Sequence, residues 1–471
     1  MTGWGRKYWV RGLAVGTIAC AAWPFAPLSV HADSLEGALV QAYQNNPTLN
    51  AQRASVRATD EGVPQALSGY RPKVTANGSI GQQYWDTTTR SSTFGATYTQ
   101  LSGNLSPSNF GITATQTLYN GFQTSNRTRQ AESQVQSARE TLRVGEQTIL
   151  LNAVTAYMNL LRDGAILDLQ RRNVEVLQEQ LRQTRDRFNV GEVTRTDVAQ
   201  SESRLASGRS QVLSAEAIYK ASVATYRQVI GVEPGKLAPG SPVDRYSPQD
   251  LTQSVGVATA THPAVSTAQY NVDAALLQVK VAEGALYPTL SLQGNVQQSY
   301  ESSLLQLRTF NASVLGQLSV PIYQGGAEYS LIRQAKETLG QRRLDLDTAR
   351  DQVRQTVVQS WGQLEAAKAN IDATQAQVQA SEIALNGVRE EARVGQRTTL
   401  DVLNAQQELV NARVALVSAQ RDRVVASYTL LASVGRLSPQ TLGLRVPVYD
   451  SNVHYQQIRD TWAGVRTPDG R

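Results

Sequence analysis

Two periodicities alternate along the chain. Between 290 and 300 the run LSLQGNVQQSY puts Leu290, Leu292, Gly294, Val296, Gln298 and Tyr300 on one face, and Ser291, Gln293, Asn295, Gln297 and Ser299 on the other. Between 310 and 320, Phe310, Ala312, Val314, Gly316, Leu318 and Val320 oppose Asn311, Ser313, Gln317 and Ser319. A two-residue period with one apolar and one polar face predicts strands of about 10 residues, the length of an outer-membrane barrel strand. Segments 74–85 and 110–118 alternate more weakly and are predicted as a second pair. On pattern alone, a half-buried soluble hairpin is the commoner outcome.

The other period is seven. From 122 to 189 there is no proline, and Leu160, Leu167, Val174, Leu181 and Phe188 recur every seventh residue. Val357, Leu364, Ile371, Val378, Leu385 and Ala392 do so later in the chain. The returning segments carry Val198, Leu205, Val212, Tyr219 and Tyr226, then Val402, Leu409, Leu416 and Leu430, with Arg423 breaking the last series. Sustained heptads predict coiled-coil packing. At about 1.5 Å per residue such a helix approaches 100 Å, which no compact domain requires. Four strands cannot close a barrel, and an open sheet in lipid leaves two unsatisfied edges. If these strands enter a membrane, the chain must oligomerise.

The two periods occur twice, in the same order. At an offset of 204, Tyr119-Asn120-Gly121 meets Tyr323-Gln324-Gly325, and Asn189–Gln200 (NVGEVTRTDVAQ) meets Arg393–Asn404 (RVGQRTTLDVLN). Nearer the N-terminus the offset is 216, pairing Leu35 with Leu251, Pro47 with Pro263, Pro72 with Pro288 and Tyr84 with Tyr300. The first copy therefore holds twelve more residues between about 85 and 110, a Thr/Ser/Gly-rich stretch expected to be an exposed loop. Residues 231–250, with four prolines and three glycines, read as a linker. The expected organisation is a first repeat over 33–250, a second over 251–435 and a tail over 436–471.

Residues 1–32 stand apart. Arg6, Lys7 and Arg11 precede an apolar run over 12–22, and Val30-His31-Ala32 offers small residues for cleavage, so the segment reads as an export signal with a mature start at Asp33. Removing its three basic residues lowers the net charge from +6 to +3, which gives no reason to expect nucleic-acid binding. The single cysteine, Cys20, lies within that segment, and Thr17 stands where lipidation wants an aliphatic residue. After it only His262 and His454 remain, with no metal-ligand or phosphate-loop spacing. An enzyme, a cofactor and a metal site are not expected. His262 precedes Pro263 as Asn46 precedes Pro47, so it reads as a helix start.

At 189–200 and 393–404 the residues describe a sharp helical hairpin. Gly191 and Gly395 sit where a helix ends in a positive-φ residue. Thr194 and Thr398 are placed as N-caps, with Asp197 and Asp401 three residues on, as in a capping box.

Pro321-Ile322-Tyr323-Gln324-Gly325-Gly326 after an alternating strand, followed by Arg333-Gln334-Ala335, resembles the hallmark of TolC-like outer-membrane channel proteins. The two hairpin turns resemble that family's periplasmic tips, and the likeness runs in order over nearly all of 33–435. It implies a mixed α+β membrane protein: a homotrimer whose twelve-stranded antiparallel β-barrel continues into a twelve-helix coiled-coil tunnel. It also implies docking to a periplasmic adaptor and an inner-membrane transporter, as the exit duct of a tripartite export system in the outer membrane of a Gram-negative bacterium. Type I protein secretion is the expected cargo class, because the chain reads as unlipidated, and multidrug efflux is the alternative. The contrasting class is a periplasmic coiled-coil structural protein.

The resemblance also assigns residues. Thr196 and Asp197 on one hairpin and Arg397 on the other match the latch that holds the tunnel closed. Asp401 matches one acidic ring of the constriction; the second position is Asn404, and the usual latch tyrosine is Ala392. A softer cation selectivity and a looser gate follow. Val190, Gly191 and Thr194, with Val394, Gly395 and Thr398, form the expected adaptor-docking tips. Tyr84, Trp85, Tyr300 and Phe310 are the expected aromatic girdle at the lipid headgroups.

Overall fold

The computed structural model describes residues 34–91, 97–468 and 470. The expected export signal lies outside them. The chain begins with helices α1 (Leu35–Asn45), α2 (Pro47–Asp60) and α3 (Gly62–Leu67), followed by strands β1 (Lys73–Ile80), β2 (Gln83–Ser91), β3 (Thr97–Leu105) and β4 (Ser108–Asn120). Two long helices follow, α4 (Gln123–Asn189) and α5 (Arg195–Ile230). The series then recurs as α6 (Leu251–Thr261), α7 (Pro263–Gly284), β5 (Thr289–Ser303), β6 (Gln306–Ser319), α8 (Ala327–Arg393) and α9 (Thr399–Ser433). A short α10 (Ser451–Ile458) lies in the tail.

Asn46 and His262 start α2 and α7 in the same way. The Asn46 Oδ1 accepts from the N–H of Thr48 and Leu49, and His262 Nδ1 from that of Ala264, with proline at the first helical position each time. The helix-start reading of His262 holds, and burial lowers the pKa of its imidazole.

The helices α4 and α8 each run 67 residues, about 100 Å. Their heptad positions form the seam: Leu160, Leu167, Leu181, Val357, Leu364 and Leu385 are buried, and Leu205, Tyr226, Val402, Leu409 and Leu430 are buried on the returning helices. Arg423, which breaks the series, turns aside to pair with Asp244 in the segment between the repeats. That segment is strapped down rather than free. The Tyr157 hydroxyl donates to the Ala238 carbonyl at 2.6 Å, and the Val243 N–H to Ser427 Oγ at 3.1 Å. Together with α1 and the tail residues Leu437 and Leu444, it encloses the largest apolar cluster, around Tyr43, Tyr157, Tyr226 and Leu150.

Strands β1, β4, β5 and β6 form one antiparallel sheet in the order β1-β4-β5-β6, so β1 and β6 are its edges. The stretch expected as an exposed loop in the first copy is exposed, but its described residues pair as a hairpin. β2 and β3 pair from Gln83–Leu105 to Ser91–Thr97 and extend past the sheet. The Thr-rich composition suggested a loop, but Thr is β-branched and favours the strand, and Thr87, Thr88 and Thr89 pair with Leu101, Gln100 and Thr99. At the sheet's other end Gly121 turns β4 into α4 with φ of 64°, and a Cβ there would meet the Gly284 carbonyl oxygen at 2.3 Å.

Candidate functional site

The register assembles one continuous apolar face from all four strands. Its rows are Val74–Ala114–Gly294–Val314, Ala76–Ile112–Val296–Ala312 and Gly78–Phe110–Gln298–Phe310, closed below by Leu290–Leu318. Val74, Ile112, Val296, Phe310, Val314 and Leu318 are all exposed on it. The opposite face is polar, with rows such as Thr75–Thr113–Asn295–Ser313 and Asn77–Gly111–Gln297–Asn311, and Thr113 Oγ1 lies 3.1 Å from Asn295 Oδ1. From Leu290 to Tyr300 the face runs about 33 Å along the strand, which a tilt of about 40° reduces to about 25 Å, the height of a barrel's lipid-facing band.

Two of the expected girdle residues lie on this face near one level, Phe310 in the row of Phe110 and Tyr300 one row further out. Tyr84 and Trp85 lie on β2, beyond the end of β1, so the four do not share one level. A second set of aromatics, missed in the sequence, marks the helical end of the strands: Tyr70, Phe122, Tyr287 and Tyr323 are all exposed there. They fall outside the alternating segments, in the turns, which is why periodicity did not single them out.

At the far end of the helices both tips are built alike. In the first, the Gly191 N–H donates to the Phe188 carbonyl and the Glu192 N–H to that of Arg187, each at 2.9 Å, a Schellman closure made possible by the φ of 80° at Gly191. The second repeats it with Gly395 to Ala392 and Gln396 to Glu391. The capping boxes are complete. Asp197 Oδ2 accepts from the Thr194 N–H at 2.9 Å and its hydroxyl at 2.7 Å; Asp401 Oδ2 accepts from the Thr398 N–H at 3.0 Å and its hydroxyl at 2.8 Å. Thr194 and Arg187 lower the Asp197 pKa below the usual carboxylate range, and Thr398 and Arg397 lower that of Asp401. Val190 and Val394 each leave 72% of their surface exposed at the apex, an apolar point left uncovered by the described residues.

Each tip carries its own ion pair. Arg187 Nε lies 3.0 Å from Glu192 Oε2, and Arg397 Nε lies 2.8 Å from Glu391 Oε2. Among the described residues no ion pair joins Arg397 to Asp197, and Thr196 is exposed. Ala392 packs into the seam of its own hairpin beside Leu385, Val402 and Leu409.

The two hairpins of one chain are joined by contacts the sequence reading did not find. Leu403 of α9 is buried among Leu177, Leu181 and Leu205 of α4 and α5. Beside it, Arg204 Nη2 donates to Asn404 Oδ1 at 2.7 Å. Further along, Arg421 Nε donates to Asn159 Oδ1 at 2.8 Å. Arg204 does flank the heptad residue Leu205, but nothing in the sequence pairs a position in one repeat with one in the other. Asn404, expected as a ring position, is thus also part of a link between hairpins.

A family model described as "Outer membrane efflux protein" matches residues 38–232 and 255–436. The chain is 43% identical over 440 residues to the outer membrane efflux protein BepC of Brucella suis, covering 93% of each chain. It is 27% identical over 334 residues to the alkaline protease secretion protein AprF of Pseudomonas aeruginosa, covering 69% of each. Its fold is similar to that of the outer membrane protein VceC of Vibrio cholerae, with a TM-score of 0.70 at 18% identity over 85% of this chain and 96% of that one.

Proposed function

The chain belongs to the outer membrane efflux protein family, the TolC-like channels it resembles, and from that premise we propose that it is the exit duct of a tripartite export assembly. Such channels are transport conduits rather than enzymes. The observation that carries the proposal is the apolar face shared by four strands with open edges at β1 and β6, set on helices about 100 Å long. An open edge in lipid is costly, and pairing β1 of one copy with β6 of the next removes it. Three copies would supply twelve strands, enough to enclose a lumen lined by the polar rows, and twelve helices beneath them.

At the tips, Arg397 would exchange Glu391 for Asp197 of a neighbouring hairpin, with Thr196 beside it, to hold the closed state. Asp401 carboxylates meeting on the symmetry axis would favour cations, and Asn404 would soften that preference. The apolar apices Val190-Gly191 and Val394-Gly395, above the caps of Thr194 and Thr398, are the docking points for a periplasmic adaptor that bridges to an inner-membrane transporter. Tyr300 and Phe310 would face the outer headgroups, while Tyr84 and Trp85 stand beyond them on the β2–β3 hairpin.

Secreted protein is the proposed cargo, supported by the similarity to a relative named for protease secretion. Small-molecule efflux is the second reading, favoured by the greater identity to a relative named an efflux protein. Deleting the gene separates them: loss of a secreted protein from the medium with unchanged drug susceptibility supports the first, and drug hypersensitivity with an intact secretome supports the second. The duct itself is tested in planar bilayers, where purified protein without any conductance would remove it.

A further inference from the structure

Beyond α10 the tail climbs to the base of the sheet. Arg71, just before β1, donates from Nη1 to the Thr461 carbonyl oxygen at 2.7 Å, and its guanidinium carbon lies 4.7 Å from the centre of the Trp462 ring. Below, α10 is fixed by His454 against Asp60 at 3.1 Å and by Arg139 donating to Asn452 at 2.6 Å. Trp462 is therefore held at two levels, yet 72% of its surface is exposed. An indole tethered, stacked on a cation and left outside any core has been positioned for something beyond the chain.

Its level identifies the partner. The apolar face of the sheet begins at Val74, three residues after Arg71, and Tyr70, Tyr287 and Tyr323 are exposed at the same end of the strands. Gln116, in register with Leu292 of the apolar face, donates from Nε2 to the Tyr70 carbonyl at 3.0 Å, which puts the segment before β1 on the outer side of the sheet. Indole prefers the boundary between hydrocarbon and headgroups, where its ring is half in lipid and its N–H is satisfied. A guanidinium stacked on it and donating from Nη1 to Thr461 keeps its remaining N–H groups for phosphate.

We propose that Trp462, carried to Arg71 by the tail, anchors the chain in the phospholipid headgroup layer at the helical end of the barrel. The anchor rests on the barrel reading and deepens it: the tail fixes the depth at which the strands sit, from a segment outside the strands.

The test uses the full chain reconstituted in phosphatidylcholine–phosphatidylglycerol vesicles, with Trp85→Phe and Trp361→Phe leaving Trp462 as the reporter. Lipids brominated near the headgroup should quench its emission more than lipids brominated near the chain ends. Adding Arg71→Ala should remove most of that quenching. A second reporter, Val314→Trp with Trp462→Phe in the same background, reports whether the strands are in the bilayer. If the Val314 site is quenched by deep bromines while Trp462 responds only to aqueous iodide, the anchor is overturned and the barrel stands. If neither site is quenched by any brominated lipid, the barrel reading fails and takes the anchor with it.

Discussion

Arg204 on α5 donates to Asn404 on α9 at 2.7 Å, beside the buried Leu403, and so ties the two helical hairpins of one chain together near their tips. Any movement that swings α8 and α9 away from α4 and α5 must break this bond. Exposed and charge-assisted, it is worth about 1 kcal/mol, roughly a fivefold change in a closed-to-open ratio. Arg204→Ala should raise the open fraction in planar bilayers by about that factor. Asn404→Asp should lower it, because the bond becomes an ion pair. If both variants shift opening in the same direction, the link does not set the resting state.

Arg397 pairs with Glu391 inside its own tip, so a latch to Asp197 requires it to change partner. Arg397→Ser should then increase conductance, whereas Glu391→Gln, which frees the guanidinium for Asp197, should leave it unchanged or reduce it. Equal increases from both would mean that Arg397 acts only by stiffening its own hairpin. Asp197 is held by its cap whichever partner Arg397 takes, since both hydrogen bonds fall on Oδ2.

What the sequence disclosed follows from the range of the interactions. The heptad seams, the alternating strands, the Schellman glycines and the capping boxes are local patterns, and each was legible because the period or spacing that marks it is complete within one segment. Asp197 and Asp401 were read as capping residues from a three-residue spacing alone. The Thr-rich stretch misled because composition there favoured a loop, while the β2–β3 pairing depends on cross-strand partners. Arg204–Asn404, Arg423–Asp244 and Arg71–Trp462 bring together residues between 179 and 391 positions apart, and no periodicity records them.

The tail's docking should depend on pH. Asp60 is fully buried, His454 lies against its Oδ2, and Arg139 stands 4.0 Å from its Oδ1. Burial raises its pKa above the usual carboxylate value, outweighing the opposing pull of His454, Arg139 and Arg57. A raised carboxyl favours the folded state when protonated. Its contribution is therefore fully present below the ordinary aspartate range and is lost as pH rises through the raised value. Amide exchange over Ser451–Ile458 should slow as pH falls through that window, after correction for intrinsic exchange. Asp60→Asn should flatten the trend; a profile identical to the unaltered chain would assign the dependence elsewhere.

Val314 and Ser313 are neighbours in β6 that the register sends to opposite faces, Val314 with Gly294 and Ser313 with Asn295. In a closed barrel the first meets hydrocarbon and the second the lumen. Arginine near the middle of the lipid face costs about 2–4 kcal/mol, while a lumen position keeps the charge in water. Val314→Arg should therefore cut the yield of heat-modifiable oligomer in outer-membrane fractions, and Ser313→Arg should assemble normally but alter ion selectivity. A soluble half-buried hairpin makes a different demand. Its buried face would be covered by protein, and material carrying Val314→Arg would accumulate as misfolded chain in the periplasm whether or not lipid was present. Refolding into vesicles decides the matter: selective failure of Val314→Arg to insert, with its helix content intact, is the outcome that only a lipid-facing strand produces.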